Sequence, residues 1–116
     1  GSLTLDADLM KAADLLPYEQ VHVVDVTNGA RLVTYCMEGA PGSGTVCSNG
    51  AAARLVAPGD KVIVISYAQL APSEVEQFSP KIVTVDERNR ILQVITEGCQ
   101  RTDDTDFENP FSSLQT

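Results

Sequence analysis

Val26-Thr27-Asn28-Gly29-Ala30-Arg31-Leu32-Val33-Thr34-Tyr35 reads as strand, turn, strand. Asn28-Gly29 is a strong hairpin signal, because both residues tolerate the positive φ that a two-residue type I′ turn requires. On the returning strand, alternation puts Arg31, Val33 and Tyr35 on one face and Leu32 and Thr34 on the other. A guanidinium and a phenol therefore stand two pleats apart on the same side. That face is either a solvated surface or one wall of a polar site.

Working outward, Val21-His22-Val23-Val24-Asp25-Val26 is the partner strand. His22 alternates with valines, which suits a surface or satisfied histidine better than a catalytic one. Ahead of it, Leu3-Thr4-Leu5 alternates as a strand. Asp6 to Leu16 reads as a short helix, capped by Asp6 or Asp8 and stopped by Pro17. Glu38 to Gly44 is glycine-rich but has no following Lys-Ser/Thr and opens no helix, so it suits a hairpin turn better than a phosphate cradle. Thr45 to Ser48 is a short strand. Asn49-Gly50-Ala51-Ala52-Ala53 follows, and its small residues suit either a tight turn into a short helix or a loop whose backbone approaches something closely.

Ala57-Pro58-Gly59-Asp60 suits a type II turn. Lys61 to Tyr67 is rich in β-branched residues, as expected of a strand buried on both faces. Ala71 to Gln77 is a short helical turn in which Ser73 and Glu76 have capping spacing. Pro80 to Val85 is a strand, 86–90 a polar turn and Ile91 to Ile95 a last strand. From Gly98 the pattern fails, and 98–116 reads as an acidic, mobile tail behind a domain spanning 1–97. Six or seven short strands and two short helices predict a mainly β chain, a small barrel or sandwich.

The net charge of −8 over 116 residues argues against nucleic acid as a partner. No run approaches the ~18 apolar residues of a membrane helix, and no secretory signal is visible. Cys36, Cys47 and Cys99, with the single His22, fit no metal spacing, so no metal is expected. Free thiols favour the cytoplasm. The residues alone offer Arg31 to hold a carboxylate, Tyr35 to donate a proton, and Asn49 with the Gly50 to Ala52 amides to meet an oxyanion. They include no strong electrophile, so either the site only binds or its reactive group is made elsewhere. Gly1-Ser2, taken alone, resembles an expression remnant.

Leu5-Asp6-Ala7-Asp8-Leu9-Met10, Val26 to Tyr35, Asn49 to Ala53, Pro58-Gly59-Asp60 and Pro80-Lys81-Ile82-Val83 together resemble the pyruvoyl-dependent aspartate 1-decarboxylases in order and spacing. The resemblance covers Gly1 to about Asp86 and departs at Ala40-Pro41 and Ser48. It implies a double-psi β-barrel that assembles as a homotetramer with sites between neighbouring protomers. It also implies self-cleavage at a Gly-Ser bond, here Gly1-Ser2, in which the serine passes through an ester and dehydroalanine to a covalent pyruvoyl group. That group would form a Schiff base with L-aspartate, release CO2 and yield β-alanine for pantothenate and coenzyme A.

By the same resemblance Ser2 becomes the pyruvoyl group and Tyr35 is the proton donor. Thr34 assists cleavage of the Gly1-Ser2 bond and then lines the substrate site. Arg31, Asn49, Gly50, Ala51 and Ala52 bind substrate. A small subunit from an upstream segment of the same proenzyme would complete the site with a lysine, a histidine and a tyrosine. Because Thr34 and Tyr35 diverge in a regular strand, the strand is expected to bulge or end there, or to meet a subunit boundary. A non-enzymatic ligand-binding or assembly barrel, and a pyruvoyl decarboxylase of another amino acid, are the alternatives.

Overall fold

The computed structural model describes residues 1–96. The expected tail at 98–116, and Cys99 within it, lie outside the described residues. Chain order is β1 (Ser2–Asp6), α1 (Ala7–Ala12), β2 (Gln20–Asp25), β3 (Arg31–Gly39), β4 (Val46–Asn49), a 3₁₀ helix (Gly50–Arg54), β5 (Val62–Ile65), a second 3₁₀ helix (Pro72–Gln77), β6 (Ile82–Val85) and β7 (Ile91–Ile95). Five strands form one sheet in the order β4-β1-β3-β2-β5, curled into half a barrel, and β6 and β7 form a hairpin. The mainly β expectation holds.

β1 sits inside the sheet, parallel to β3 and antiparallel to β4. Its alternation explains the placement. Leu3 and Leu5 are buried in the core with Val21, Val23, Cys36, Val46 and Val62. Full burial of such a side chain contributes about 1.5–3 kcal/mol. The two leucines therefore anchor the strand whose first residue is Ser2.

At the far end of β1, Asp6 caps α1 by accepting from Asp8 N (2.8 Å) and also accepts from Gly42 N (3.0 Å) and Gly44 N (2.9 Å). Burial pushes the Asp6 carboxyl up, but the three N–H donors outweigh burial and hold it below its ordinary value. The glycine-rich stretch is thus a loop tied down by a buried carboxylate, but not the expected hairpin turn, because β1 lies between β3 and β4 and the two do not pair. Gly44 has φ +70°, and a Cβ there would lie 2.4 Å from the Arg88 carbonyl oxygen.

Several local expectations are corrected. The β2–β3 hairpin forms, but not through a type I′ turn. Of the pair only Gly29 has positive φ (77°), and residues 26–29 make a four-residue loop closed by Gly29 N donating to Asp25 O at 2.8 Å. The buried Asp25 carboxylate explains the wider loop, since its Oδ1 accepts from Thr27 N (2.8 Å) and Asn28 N (3.1 Å). The Asn28 side chain accepts from Ala30 N and donates to the Leu55 carbonyl.

The helix expected to reach Leu16 ends at Ala12, and Asp14 turns left-handed (φ 58°), so Leu16 projects into solvent. β5 is an edge strand in which only Val62 is fully buried, not a strand buried on both faces. In the second 3₁₀ helix the reciprocal cap comes from Glu74, whose Oε1 accepts from Ala71 N, and not from Ser73 with Glu76. The type II expectation at Ala57–Asp60 stands, with Gly59 at φ +89° and Asp60 N donating to Ala57 O.

Candidate functional site

β1 begins beside the middle of β3 and the end of β4. Leu3 aligns with Cys36 of β3, and Ser2 faces Asn49 of β4. Three separated stretches of sequence therefore meet at Gly1-Ser2. The Thr34 hydroxyl donates to the Gly1 carbonyl oxygen at 2.9 Å. The Asn49 amide nitrogen donates to the Ser2 hydroxyl at 3.0 Å. Ser2 is buried, with 7% of its surface exposed.

The small-residue run has its reason here. A Cβ on Gly1 would lie 2.8 Å from the Asn49 carbonyl oxygen and 3.0 Å from both the nitrogen and the Cβ of Ala52. A Cβ on Gly50, itself at φ +63°, would lie 3.2 Å from the Gly1 Cα. Both readings of 49–53 are realised: the residues turn into a 3₁₀ helix, and that turn packs against the backbone of Gly1. Gly50 and Ala52 make the close approach, whereas Ala51 and Ala53 are exposed. Asn49 occupies the N-cap position but makes no capping bond, because its side chain is committed to β1.

On β3 the alternation is as expected. Arg31, Val33 and Tyr35 are exposed, while Leu32 and Thr34 are half-buried. β3 pairs with β2 without interruption from Arg31 to Tyr35, so the strand neither bulges nor ends at Thr34. Thr34 reaches the site because it is the backbone carbonyl of Gly1 that comes within range of its hydroxyl. Carbonyls lie in the plane of a sheet, where a side chain from either face can reach them.

The Tyr35 ring lies 6.5 Å from that of Tyr18, centroid to centroid, tilted by 33°. Arg31 takes part in no ion pair among the described residues. Gly1, Ser2, Thr34, Asn49, Gly50 and Ala52 thus share direct contacts, whereas Arg31 and Tyr35 stand on the exposed face of β3, opposite Thr34, and are not brought to them.

Sequence reasoning missed Thr4 and Tyr18. Thr4 shares the Asn49 amide, accepting from the same nitrogen at 2.9 Å. Its position one pleat beyond Ser2 was the available signal. Tyr18 precedes β2 at φ 67°, and no pattern in the sequence announces its stacking on Tyr35. His22 is the satisfied histidine expected, with Nδ1 3.3 Å from the Tyr67 hydroxyl and the two rings edge to face. Cys36 is a buried thiol, donating to backbone carbonyls, and burial with the nearby Glu19 charge pushes it up. Cys47 is a free, exposed thiol. Among the described residues no group of His, Cys, Asp and Glu could hold a metal, and no helix is long and apolar enough to cross a membrane.

Chemically, the arrangement places a hydroxyl next to a polarised amide carbonyl, with a separate donor on each oxygen. A family model described as aspartate decarboxylase matches residues 1–92. The chain is 56% identical over 96 residues to the aspartate 1-decarboxylase of Salinibacter ruber, covering 83% of this chain and 66% of that protein. It is 55% identical over 95 residues to aspartate 1-decarboxylase 1 of Gloeobacter violaceus (82% and 80%) and 53% identical over 97 residues to that of Acetivibrio thermocellus (84% and 77%).

Proposed function

The chain belongs to the aspartate decarboxylase family, and we propose that it converts L-aspartate to β-alanine and CO2 with a pyruvoyl group generated from Ser2. The observation that carries this reading is the 2.9 Å hydrogen bond from Thr34 to the Gly1 carbonyl, beside a buried Ser2 hydroxyl held by Asn49. The close approach of Gly50 and Ala52 to Gly1 supports it too, because a side chain on residue 1 would fill that space. The residues present thus fit a group formed at position 2. The same contacts make an expression remnant a poor account of Gly1-Ser2.

Ser2 Oγ attacks the Gly1 carbonyl carbon, the Gly1–Ser2 C–N bond breaks, and the hydroxyl proton passes to the freed nitrogen. Thr34 steadies the oxygen that gains charge during attack. Elimination then removes the Cα proton of residue 2 to solvent as the Cβ–Oγ bond breaks, releasing Gly1 as a carboxylate that carries the former Oγ, and Cβ takes a proton back to become a methyl. Water replaces the nitrogen, which departs as ammonia. When present, the pyruvoyl group supplies a carbonyl system that takes up the electron pair released with CO2.

The chain's own residues do the rest. The Arg31 guanidinium binds a substrate carboxylate. Tyr35 delivers a proton to the carbon that has lost CO2, and the Asn49 side chain with the Gly50, Ala51 and Ala52 amides holds the substrate. A small subunit from the segment preceding Gly1 completes the site, and neighbouring protomers of a homotetramer enclose it. The product supplies pantothenate and coenzyme A synthesis, and the enzyme works in the cytoplasm, where Cys36 and Cys47 stay reduced.

The test is intact-mass analysis of the chain made with its native upstream sequence, together with CO2 release from aspartate. Cleavage before residue 2, with a large fragment one ammonia lighter than its serine form, is the expected result. A full-length mass with no CO2 release overturns the proposal.

A further inference from the structure

We infer that Thr4 is a positioning residue whose hydroxyl holds the Asn49 amide nitrogen on the Ser2 oxygen. The inference rests on reading Gly1-Ser2 as the self-cleaving bond. Leu3 and Leu5 face the core, so Ser2 and Thr4 share the opposite face of β1. Across the antiparallel pairing Ser2 faces Asn49 and Thr4 faces Cys47. The Asn49 side chain therefore lies between the two hydroxyls. Its amide nitrogen spends one hydrogen on Ser2 Oγ (3.0 Å) and the other on Thr4 Oγ1 (2.9 Å), and its oxygen accepts from the Cys47 thiol at 3.4 Å.

Every polar atom of the carboxamide is used. Reversing it would leave the NH2 facing a thiol, a weak acceptor, and turn the carbonyl toward Ser2.

The orientation matters because charge appears on Oγ. In the elimination step Oγ leaves as part of the Gly1 carboxylate. An N–H aimed at it stabilises that charge, and a carbonyl aimed at it repels it. Without the Thr4 hydroxyl, one Asn49 hydrogen loses its partner in a half-buried site, and rotation of the amide away from Ser2 is no longer opposed.

The experiment uses the precursor with its native upstream sequence and follows formation of the processed large fragment by intact mass over time. Thr4→Val keeps the Cγ2 methyl beside Gly39 and removes only the hydroxyl. It is expected to slow processing about fivefold to tenfold, the loss of one positioning hydrogen bond. Thr4→Ser should recover the rate to within about twofold. Asn49→Ala is slow by itself, and adding Thr4→Val to it should change the rate by less than about twofold, because Thr4 acts only through Asn49.

Thr4→Val at the wild-type rate, or effects of Thr4→Val and Asn49→Ala that multiply, overturns the inference. Wild type that stays uncut overturns the self-cleavage reading instead, so the two failures are distinguishable.

Discussion

Thr34→Val separates the chemical role of the Thr34 hydroxyl from its structural one. Valine keeps the shape and the β-branching, so β3 retains its pairing with Val21 and its half-buried packing. What disappears is the 2.9 Å hydrogen bond to the Gly1 carbonyl oxygen. In the resting precursor that bond is an ordinary neutral one, worth about 0.5–1.5 kcal/mol. During attack by Ser2 the same oxygen becomes an oxyanion, and losing one preorganised donor then costs about 2.7–4 kcal/mol, on the order of 10²–10³ in rate.

The two figures differ enough to be read apart. Thermal unfolding of the Thr34→Val precursor should fall by only a few degrees. Processing at Gly1-Ser2, followed as the ratio of cut to uncut mass, should slow by at least about a hundredfold. Thr34→Ser, which keeps a hydroxyl, should process at a rate near wild type. A folded Thr34→Val precursor that processes within about twofold of wild type would refute the oxyanion argument, because a bond of merely structural value cannot be invoked to speed the reaction.

Tyr35→Phe should fold normally, since the phenol makes no hydrogen bond among the described residues, yet turnover of aspartate by the processed enzyme should fall about 10²–10⁴-fold; near-normal turnover removes Tyr35 from proton delivery. Gly44→Ala should cost more than about 2 kcal/mol in chemical denaturation, because its Cβ would collide with the Arg88 carbonyl, whereas Gly29→Ala, with open space around it, should cost only about 1 kcal/mol of backbone strain; equal losses would refute the clash. Burial, reinforced by a shared proton with Asp60, raises the Asp25 carboxyl above 3.8. Its contribution to stability is therefore complete below that value and is lost as pH rises through the raised one, so Asp25→Asn should gain on wild type in denaturation midpoint between pH 4 and pH 7. A difference that does not change with pH would count against proton sharing.

How much of this was legible in the sequence follows from the range of each interaction. Alternation is a property of consecutive residues, so the two faces of β3 and the burial of Leu3 and Leu5 could be read directly. Turn chemistry is local as well, but it competes with neighbours. Asn28-Gly29 asks for a two-residue turn, and the carboxylate of Asp25, three residues earlier, captures two backbone N–H groups and widens the loop. Helix length failed for a similar reason. The apolar spacing runs on to Leu16, but the left-handed Asp14 ends the turn at Ala12–Ala13, and Leu15 N bonds back to Met10 O.

The site itself depends on pairings that no local pattern encodes. Gly1 meets Thr34 and Ser2 meets Asn49 only because β1, the first strand in sequence, is inserted between β3 and β4 instead of adding to an edge. Sequence pattern suggested that the small run after Asn49 lets a backbone come close, and topology supplies which backbone it is. That insertion also explains why Gly and Ala recur on both sides of the contact. A strand threaded between two others leaves its first residue against the following turn, where there is room for a Cα but not for a side chain. The hairpin from Val26 to Tyr35 is therefore scaffold in its loop, and its returning strand carries the residues to which the proposed function assigns chemistry. The loop fixes the β2–β3 register, and the parallel β1–β3 register places the Gly1 carbonyl against the Thr34 hydroxyl.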